Sequence, residues 1–467
     1  MSWQNLFNGT KKEFSNIKLK QVYGQIPKEI RGTFYQNSSV MTSRAGEKHI
    51  TWFDGDGAIL RIQLQDGEAV GSYKYTRTQA FKEEEKKGKF IFASLGRLAP
   101  GFFNRLKRKA EPANRANTSV FPLKDKLLVL FDMGKPYELD LESLETQGES
   151  DLQGSLALSE TSSAHLRIDP DTKEIYNFGF DQSDYKSILF YKFNPDFKFL
   201  FKNKIKLDAM PYMTHDFIFA GKYIIFFTFP INLKYFLYLL KVKPMMQCLE
   251  YLEKGQSNIY VLEKDSLKVT NHIKIPANYF LHFVNGFEAN NGNLVMDLIE
   301  FNNFNVFQKW TVDAVKGKLP DYEVNSKIVR YELDLKNNTV SGKNTLFDQF
   351  CEWPLVKSHL LGKEYDLFYF TTSMKKDNLP SDLIKYHHKS GKLEVRNFGE
   401  EVYINEPTFL PNPNNPQKGW IIIVSHNAPK DTSFVHILNE ETMEDICKLE
   451  LPSPIGNCSH GKWKRLT

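Results

Sequence analysis

The segment ILRIQLQDGEAVGSYKY, residues 59–75, contains a unit that recurs along the chain: two short strands joined by a polar turn. Apolar residues alternate with polar ones in both halves, which is the period of a β-strand with one buried face. Asp66 and Gly67 separate the halves, and such residues favour a tight turn. The segment therefore predicts a pair of antiparallel strands.

The same unit can be traced seven or eight times between the two ends of the chain. Clear copies are YELDLESLETQG, HLRIDPDTKEIYNFGF, NIYVLEKDSLKVT, IVRYELDLKNNTVSG, LIKYHHKSGKLEV and FVHILNEETMEDI. Repeated hairpins of this kind favour a β-propeller over a sandwich, and their irregular spacing predicts long inserted loops. No linker rich in Pro or Ser divides the chain, so we predict one all-β domain over residues 1–467.

The composition narrows the classes of function. The net charge of +5 comes from 61 basic and 56 acidic residues, which predicts no nucleic-acid partner. The four cysteines have no short paired spacing, so we expect a reduced, cytoplasmic protein without a zinc finger. We find no signal-peptide core and no apolar run of about 20 residues, and we expect a soluble chain. The 37 phenylalanines suggest an apolar pocket or tunnel beyond the ordinary core.

Residues 231–255 interrupt the strand pattern. Leu233, Phe236, Leu237 and Leu240 follow the spacing of one helical face, with lysines nearby. One interpretation is a helix that lies over a face of the propeller. The other is a peripheral membrane contact through residues 231–247, because Lys beside Phe, Tyr and Leu suits the headgroup region of a bilayer. The sequence leaves both open.

Four of the eleven histidines stand out: His165, His215, His282 and His460. His165 and His215 lie where predicted strands begin, His282 lies in YFLHFVNGFEANNGNLVMD, and His460 lies in the final SHGKW. The innermost strands of a propeller line its axis, so residues at equivalent strand ends meet there. Four imidazoles at that place could hold a metal ion. The residue types alone fit ordinary surface or core histidines equally well, and no two of the four form a local motif.

Ordered motifs over nearly the whole chain resemble the carotenoid cleavage oxygenase family, also called the retinal pigment and carotenoid oxygenase family. The motifs are RGTFYQNSS (31–39), HITWFDGDGAIL (49–60), ANTSV (116–120), GKPYELD (134–140), CEWP (351–354), NEPTFLPNP (405–413) and SHGKW (459–463). The first is a degenerate copy of the family's Arg-Asn-Gly segment.

The resemblance implies a seven-bladed β-propeller in which long loops and short helices cap one face. It also implies Fe(2+) on the axis, held by the positions that match the family's ligands, His165, His215, His282 and His460. Four neutral imidazoles leave a coordination position open for dioxygen. His49 is also in a matching motif, but we interpret its segment as structural, with Gly55 and Gly57 making a turn.

The resemblance also implies that three acidic residues orient the last three histidines by accepting hydrogen bonds from their distal N–H groups. Glu352 and Glu406 match two of these family positions. The third is Asp132, where the family usually has Glu, and the carboxylate is withdrawn by about 1.5 Å. We expect either a shifted backbone or a bridging water at His215, with iron binding retained but looser. Thr118 matches the family's active-site threonine.

The implied activity is dioxygenase cleavage of a conjugated C=C bond in a carotenoid or apocarotenoid, with O2 and an apolar polyene as partners. One alternative is cleavage of a stilbene-type phenolic alkene. Relatives that cleave such substrates resemble one another in having a lysine at the position just before the orienting acid. This chain has Phe131 at that position. Another is an isomerase or a propeller that binds an apolar ligand without cleaving it. The sequence assigns neither the double bond that is cut nor an oligomeric state.

Overall fold

Seven antiparallel sheets surround a common axis as the blades of a propeller in the described part of the chain. This computed structural model describes residues 2–7, 11–107, 111–301, 304, 306–318, 325–373 and 379–466. The predicted all-β, seven-bladed fold is confirmed.

Each blade contains four to six strands. Blade 1 has Phe14–Lys18, Gly32–Val40, Asp56–Gln65, Glu68–Tyr75 and Asn457–Arg465. Blade 2 has Ser119–Pro122, Leu127–Leu130, Tyr137–Leu139 and Thr146–Glu149. Blade 3 has Arg167–Ile168, Ile175–Phe180, Ser187–Phe193 and Phe199–Lys206. Blade 4 has Ile218–Ala220, Tyr223–Thr228, Gln256–Glu263 and Val269–Pro276. Blade 5 has Tyr279–Glu288, Leu294–Phe301, Ser326–Asp334 and Thr339–Phe347. Blade 6 has Cys351–Leu355, Leu367–Thr372, Asp382–His387 and Lys392–Asn397. Blade 7 has Lys20–Gly24, Val402–Ile404, Thr408–Asn412, Asn415–Asn427, Thr432–Asn439 and Asp445–Glu450.

Short elements fill the connections between blades. The α-helices are α1 (Gln79–Lys87), α2 (Phe102–Lys107), α3 (Tyr235–Leu239), α4 (Met245–Cys248) and α5 (Thr311–Val315). The 3-10 helices are Ser2–Phe7, Trp52–Asp54 and Ser358–Leu360, and a π-helix spans Val306–Trp310. Two small hairpins pair Ser43–Arg44 with Glu47–Lys48 and Ile231–Leu233 with Leu249–Tyr251.

The ring is closed by strands from opposite ends of the chain. Gly32–Val40 of blade 1 pairs antiparallel with Asn457–Arg465, so that Gln36 lies opposite Gly461. Lys20–Gly24 pairs with Asp445–Glu450 in blade 7 in the same way. Neither blade is complete without strands from both ends.

The first predicted hairpin forms as expected, with Asp56–Gln65 paired to Glu68–Tyr75. Leu60, Ile62 and Leu64 are fully buried and belong to an apolar cluster that blade 1 shares with blade 7. Burying each such side chain contributes about 1.5–3 kcal/mol, so stacking of adjacent blades supplies much of the stability.

Gly57 lies in a strand, which makes the predicted turn at this residue wrong. A Cβ atom there would lie 2.0 Å from the carbonyl oxygen of Ala116. The backbone amide of Gly57 donates to the Arg115 carbonyl at 3.0 Å. Glycine is therefore required for close packing of two backbones and not for a turn.

Residues 231–255 do not form one continuous helix. They form a small strand pair and the short helices α3 and α4. Pro244 adopts an extended conformation between the helices, where a continuous helix would need its missing N–H group. The predicted apolar face is split as well, because Leu233 is buried whereas Phe236 is 78% exposed.

Candidate metal centre

Four imidazole rings meet at the axis of the propeller. His282 and His460 lie in strands of blades 5 and 1, and His165 and His215 lie two and three residues before strands of blades 3 and 4. One ring nitrogen of each residue lies within 4.8 Å of the corresponding atom of the other three. Nε2 of His165 lies 2.9 Å from Nε2 of His215, and the same atoms of His282 and His460 are 3.3 Å apart.

Three of these rings share one arrangement, in which Nδ1 contacts a carboxylate. The Nδ1 atoms of His215, His282 and His460 each bond to a carboxylate oxygen, which accepts a hydrogen bond. In a neutral imidazole the proton is then on Nδ1, and Nε2 keeps a free lone pair. Lone pairs so close together repel unless a cation lies between them. Two nitrogens bound at about 2.1 Å and at right angles would be about 3.0 Å apart, so the cluster fits a metal ion.

The three predicted carboxylates contact the three predicted histidines. Asp132 Oδ2 accepts from His215 Nδ1 at 2.7 Å, and Glu406 Oε1 accepts from His460 Nδ1 at 3.0 Å. Glu352 Oε2 accepts from His282 Nδ1. Burial alone would lower the pKa of His282, but the charge and hydrogen bond of Glu352, together with the charges of Asp216 and Glu406, outweigh burial and raise that pKa.

Asp132 reaches His215 without a bridging water, in spite of its shorter side chain. Its second oxygen, Oδ1, accepts from the backbone N–H of Ala164 at 3.1 Å. That bond ties the carboxylate to the residue before His165. Of the two expected arrangements, the direct contact is the one in which the backbone compensates for the shorter side chain, and it removes the geometric reason for a looser hold on the metal.

His165 differs from the other three because its Nδ1 lies 3.6 Å from the nearest oxygen of Asp216. That carboxylate is bound instead by the guanidinium of Arg167, whose Nε is 3.2 Å from Oδ1. Burial and then the neighbouring imidazoles lower the pKa of His165 well below its usual value. His165 therefore remains neutral and able to act as a ligand.

A cavity of about 260 Å³ lies beside the four rings. Its wall is mainly aromatic and aliphatic, and it includes Phe53 stacked on Phe307 with ring centroids 4.9 Å apart. Helices α3, α4 and α5 and the π-helix all contribute side chains to it. Thr118 and Phe131 also line the cavity, and Thr118 Oγ1 donates to Asn117 Oδ1 at 3.3 Å.

The sequence profile described as retinal pigment epithelial membrane protein (RPE65) matches residues 7–465. The chain belongs to this family. The resemblance drawn from the motifs is confirmed, and with it the prediction of an oxygenase enzyme.

The family relatives include carotenoid and phenolic oxygenases. The chain is 27% identical to the apocarotenoid-15,15'-oxygenase of Synechocystis, over 95% of this chain and 92% of that protein. It is 26% identical to resveratrol cleavage oxygenase 1 of Aspergillus fumigatus, over 96% and 92% respectively. The solved structure of cobalt-substituted Synechocystis ACO superimposes with a TM-score of 0.91 at 25% identity, covering 100% of this chain and 98% of that one.

His49 lies outside the four-histidine cluster of this family member. It is buried, and its Nε2 lies 3.1 Å from Thr42 Oγ1 and 3.8 Å from Asp56 Oδ2. Arg115 Nη1 donates to the same aspartate at 3.0 Å and to Glu84 at 2.7 Å. This buried charged network binds α1 to the strand that begins at Asp56.

Sequence reasoning missed several residues around the centre. Asp216 could have been noticed because it directly follows His215. Met213 and Trp353 adopt left-handed backbone conformations, with φ of 65° and 49°, and both line the cavity. Such conformations in residues other than glycine store strain and cluster at functional sites. No pattern in the sequence indicates them, because the neighbouring blades impose the conformation.

Proposed function

We propose that this chain is an Fe(2+)-dependent dioxygenase that cleaves a conjugated C=C bond of a carotenoid or apocarotenoid into two carbonyl products. The observation that carries the proposal is the meeting of four imidazole rings at the axis, beside a cavity with a mainly aromatic and aliphatic wall. In this proposal His165, His215, His282 and His460 hold the iron. A bound ferrous ion supplies the oxygen and electron-transfer chemistry that side chains lack.

The carboxylates keep those ligands in place. Asp132, Glu352 and Glu406 fix the proton on Nδ1 and thereby direct Nε2 toward the centre. Backbone amides hold all three acids: Ala164 N–H donates to Asp132, Trp353 N–H donates to Glu352, and Gly461 N–H donates to Glu406 Oε2 at 2.8 Å. The rings therefore remain oriented before a metal ion arrives.

The cavity positions an apolar alkene and excludes water from it. Phe53, Phe307 and Trp310 offer faces on which a flat polyene can stack. We assign Thr118 the role of restricting access near the metal, because its small hydroxyl lies on the cavity wall and is held by Asn117.

Cleavage of a stilbene-type phenolic alkene is the second candidate, supported by the similarity to a resveratrol cleavage oxygenase. Against it, no Lys or Arg is among the described residues that line the cavity. Phe131 lies there instead, at the position where phenol-cleaving relatives are expected to have lysine.

Product analysis tests the proposal. Iron-loaded protein is incubated under ¹⁸O2 with an apocarotenal and, separately, with resveratrol, and the products are identified by mass spectrometry. We expect two carbonyl fragments from the apocarotenal, each with one ¹⁸O atom before exchange with water. A label on only one fragment would contradict the dioxygenase assignment. Cleavage of resveratrol alone would establish the second candidate, and geometric isomers without cleavage would indicate an isomerase.

We propose further that the cavity opens toward a membrane surface. Six apolar side chains on and beside α2 and α3 are more than half exposed: Phe102, Phe103, Leu106, Phe236, Leu239 and Leu240. Lys241 Nζ joins the two segments by donating to the Arg105 carbonyl at 2.7 Å. Tyr235 and Tyr238 of α3 line the cavity, so this patch adjoins it. In the described residues no helix has the length and hydropathy to cross a bilayer.

We also propose that residues 1–467 act as one domain. The pairing of Gly32–Val40 with Asn457–Arg465 supports this, because each end of the chain completes the blade of the other.

A further inference from the structure

Two buried polar atoms on the cavity wall have no hydrogen-bond partner among the described residues: Tyr279 Oη and Glu352 Oε1. Tyr279 is 1% exposed and Glu352 is 8% exposed. Leaving such groups unpaired costs about 1–3 kcal/mol each, so protein interiors rarely tolerate them. Other unpaired atoms occur in the described chain, but these are the two whose residues line the cavity.

The rest of each side chain is firmly held. Glu352 Oε2 accepts from His282 Nδ1 and from the backbone N–H of Trp353 at 3.0 Å, which leaves Oε1 free. Trp353, whose backbone is left-handed, donates this N–H bond to the side chain of the residue that precedes it. The ring of Tyr279 packs edge-on against Phe304 and Phe229, with centroids 5.0 and 5.1 Å apart. Neither side chain can turn away to find a partner elsewhere.

The two atoms have complementary chemistry. Burial first, and then the charges of Glu352 and Asp132, raises the pKa of Tyr279, so its hydroxyl is a donor at neutral pH. Glu352 Oε1 is an acceptor. A ligand hydroxyl that reaches both atoms would satisfy both, because its oxygen would accept from Tyr279 and its hydrogen would be donated to Glu352. A carbonyl oxygen would satisfy Tyr279 only, and a hydrocarbon neither.

We propose that Tyr279 and Glu352 form a subsite that selects a conjugated alkene carrying a hydroxyl group. This inference rests on the proposed function and narrows its substrate class. Tyr279 is the specificity-determining residue, since Glu352 also orients His282. The hydroxyl can belong to a polyene alcohol or to a phenol, which are the two sources of the same chemistry.

Ligand binding without turnover tests the subsite. Intrinsic tryptophan fluorescence is suited to it, because Trp52, Trp310 and Trp353 line the cavity. The iron-loaded protein is titrated under nitrogen with retinol and with the deoxy hydrocarbon of the same polyene, and then with 4-hydroxystilbene and stilbene. Each pair differs by one hydroxyl group, and the pairs separate the alcohol from the phenol.

We expect Tyr279→Phe to weaken binding of the hydroxyl member of at least one pair about three- to ten-fold, as loss of one hydrogen bond does. Its hydrocarbon partner should bind within two-fold of the wild-type value. Tyr331→Phe is the matched control, because the buried Tyr331 hydroxyl is already satisfied by Glu300 at 2.9 Å and by Asn278 at 3.0 Å. This control should leave all four affinities unchanged.

Unfolding in urea supplies a readout that separates recognition from a structural role. Tyr279→Phe removes an unpaired hydroxyl and should not lower the free energy of unfolding, whereas Tyr331→Phe should lower it. Equal weakening of hydroxyl and hydrocarbon ligands, or no weakening of either, would overturn the subsite. If the pair-specific effect is present but no alkene is cleaved under oxygen, the proposed function fails and the hydroxyl subsite stands.

Discussion

Replacing Asp132 by Ala leaves all four imidazoles in place and removes the acceptor that orients one of them. The bond from His215 Nδ1 to Asp132 Oδ2 is 2.7 Å long, and the His215 side chain is only 10% exposed. Water replaces the lost acceptor poorly there, and an unsatisfied buried donor costs roughly 1–3 kcal/mol. At about 1.4 kcal/mol per factor of ten, ferrous ion should bind about 5- to 150-fold more weakly. Loss of comparable orienting groups in metalloproteins typically costs about 10- to 100-fold, which agrees.

The assay is an anaerobic titration of chelator-stripped protein with Fe(2+) in competition with a chromophoric chelator. The control is Asp445→Ala, which removes an equivalent partner from a histidine outside the cluster. Asp445 Oδ1 accepts from His436 Nδ1 at 2.6 Å, and the Asp445 side chain is 16% exposed. The control should lose folding stability but keep the wild-type dissociation constant for iron.

Equal iron affinity in Asp132→Ala and the wild type would refute the reasoning, provided that both variants are folded. So would an equal loss in both variants, since the effect would then be general destabilisation and not the orientation of His215.

Three further outcomes are expected. Phe236→Glu combined with Leu240→Glu should abolish flotation of the protein with anionic liposomes. The control Leu158→Glu should leave flotation unchanged, because Leu158 is 97% exposed but lies outside the patch. Persistent flotation of the double variant would contradict the membrane contact. The free energy of unfolding should fall by up to about 3 kcal/mol as the pH drops from 6.5 toward 4, because burial lowers the pKa of His426 to about 4 and the unfolded chain takes up a proton first. In urea titrations at several pH values, His426→Gln should make the free energy of unfolding less dependent on pH. An unchanged pH dependence would assign the effect to other groups. Gly57→Ala should lower the free energy of unfolding by at least about 2 kcal/mol, because the new methyl group overlaps the backbone carbonyl of Ala116. A smaller loss would mean that the backbones at Gly57 and Ala116 move apart easily.

The sequence was informative where local pattern and tertiary structure agree. Period-2 hairpins such as residues 59–75 become blade strands, because both the turn and the alternating face are local properties. The positions of His165 and His215 just before strands were readable for the same reason. The family motifs then implied seven blades and four histidines that meet at the axis, which no local pattern contains.

Features that depend on the assembled ring were not predictable. The helical spacing around Leu237 indicated one helix, but Pro244 and a short strand pair divide the segment. Tyr279 has no distinguishing motif, and its unpaired hydroxyl is recognisable only when the surrounding wall is known. The direct reach of Asp132 to His215 likewise depends on how closely the segment after Leu127–Leu130 of blade 2 approaches the segment before Ile218–Ala220 of blade 4. A comparison of side-chain lengths does not contain that distance.

Closure of the ring has a consequence for biosynthesis. The strand that carries His460 pairs with Gly32–Val40, so this imidazole reaches the axis only after the more than 400 residues between the two strands have been made. Until that strand leaves the ribosome, the growing chain holds at most three of the four rings. Capture of the proposed ion by all four rings should therefore wait for the strand Asn457–Arg465, and products of premature termination upstream of residue 457 should accumulate as apoprotein with an open edge. An open sheet edge can pair with strands of other chains. We therefore expect the truncated products to be bound by chaperones or degraded by proteases.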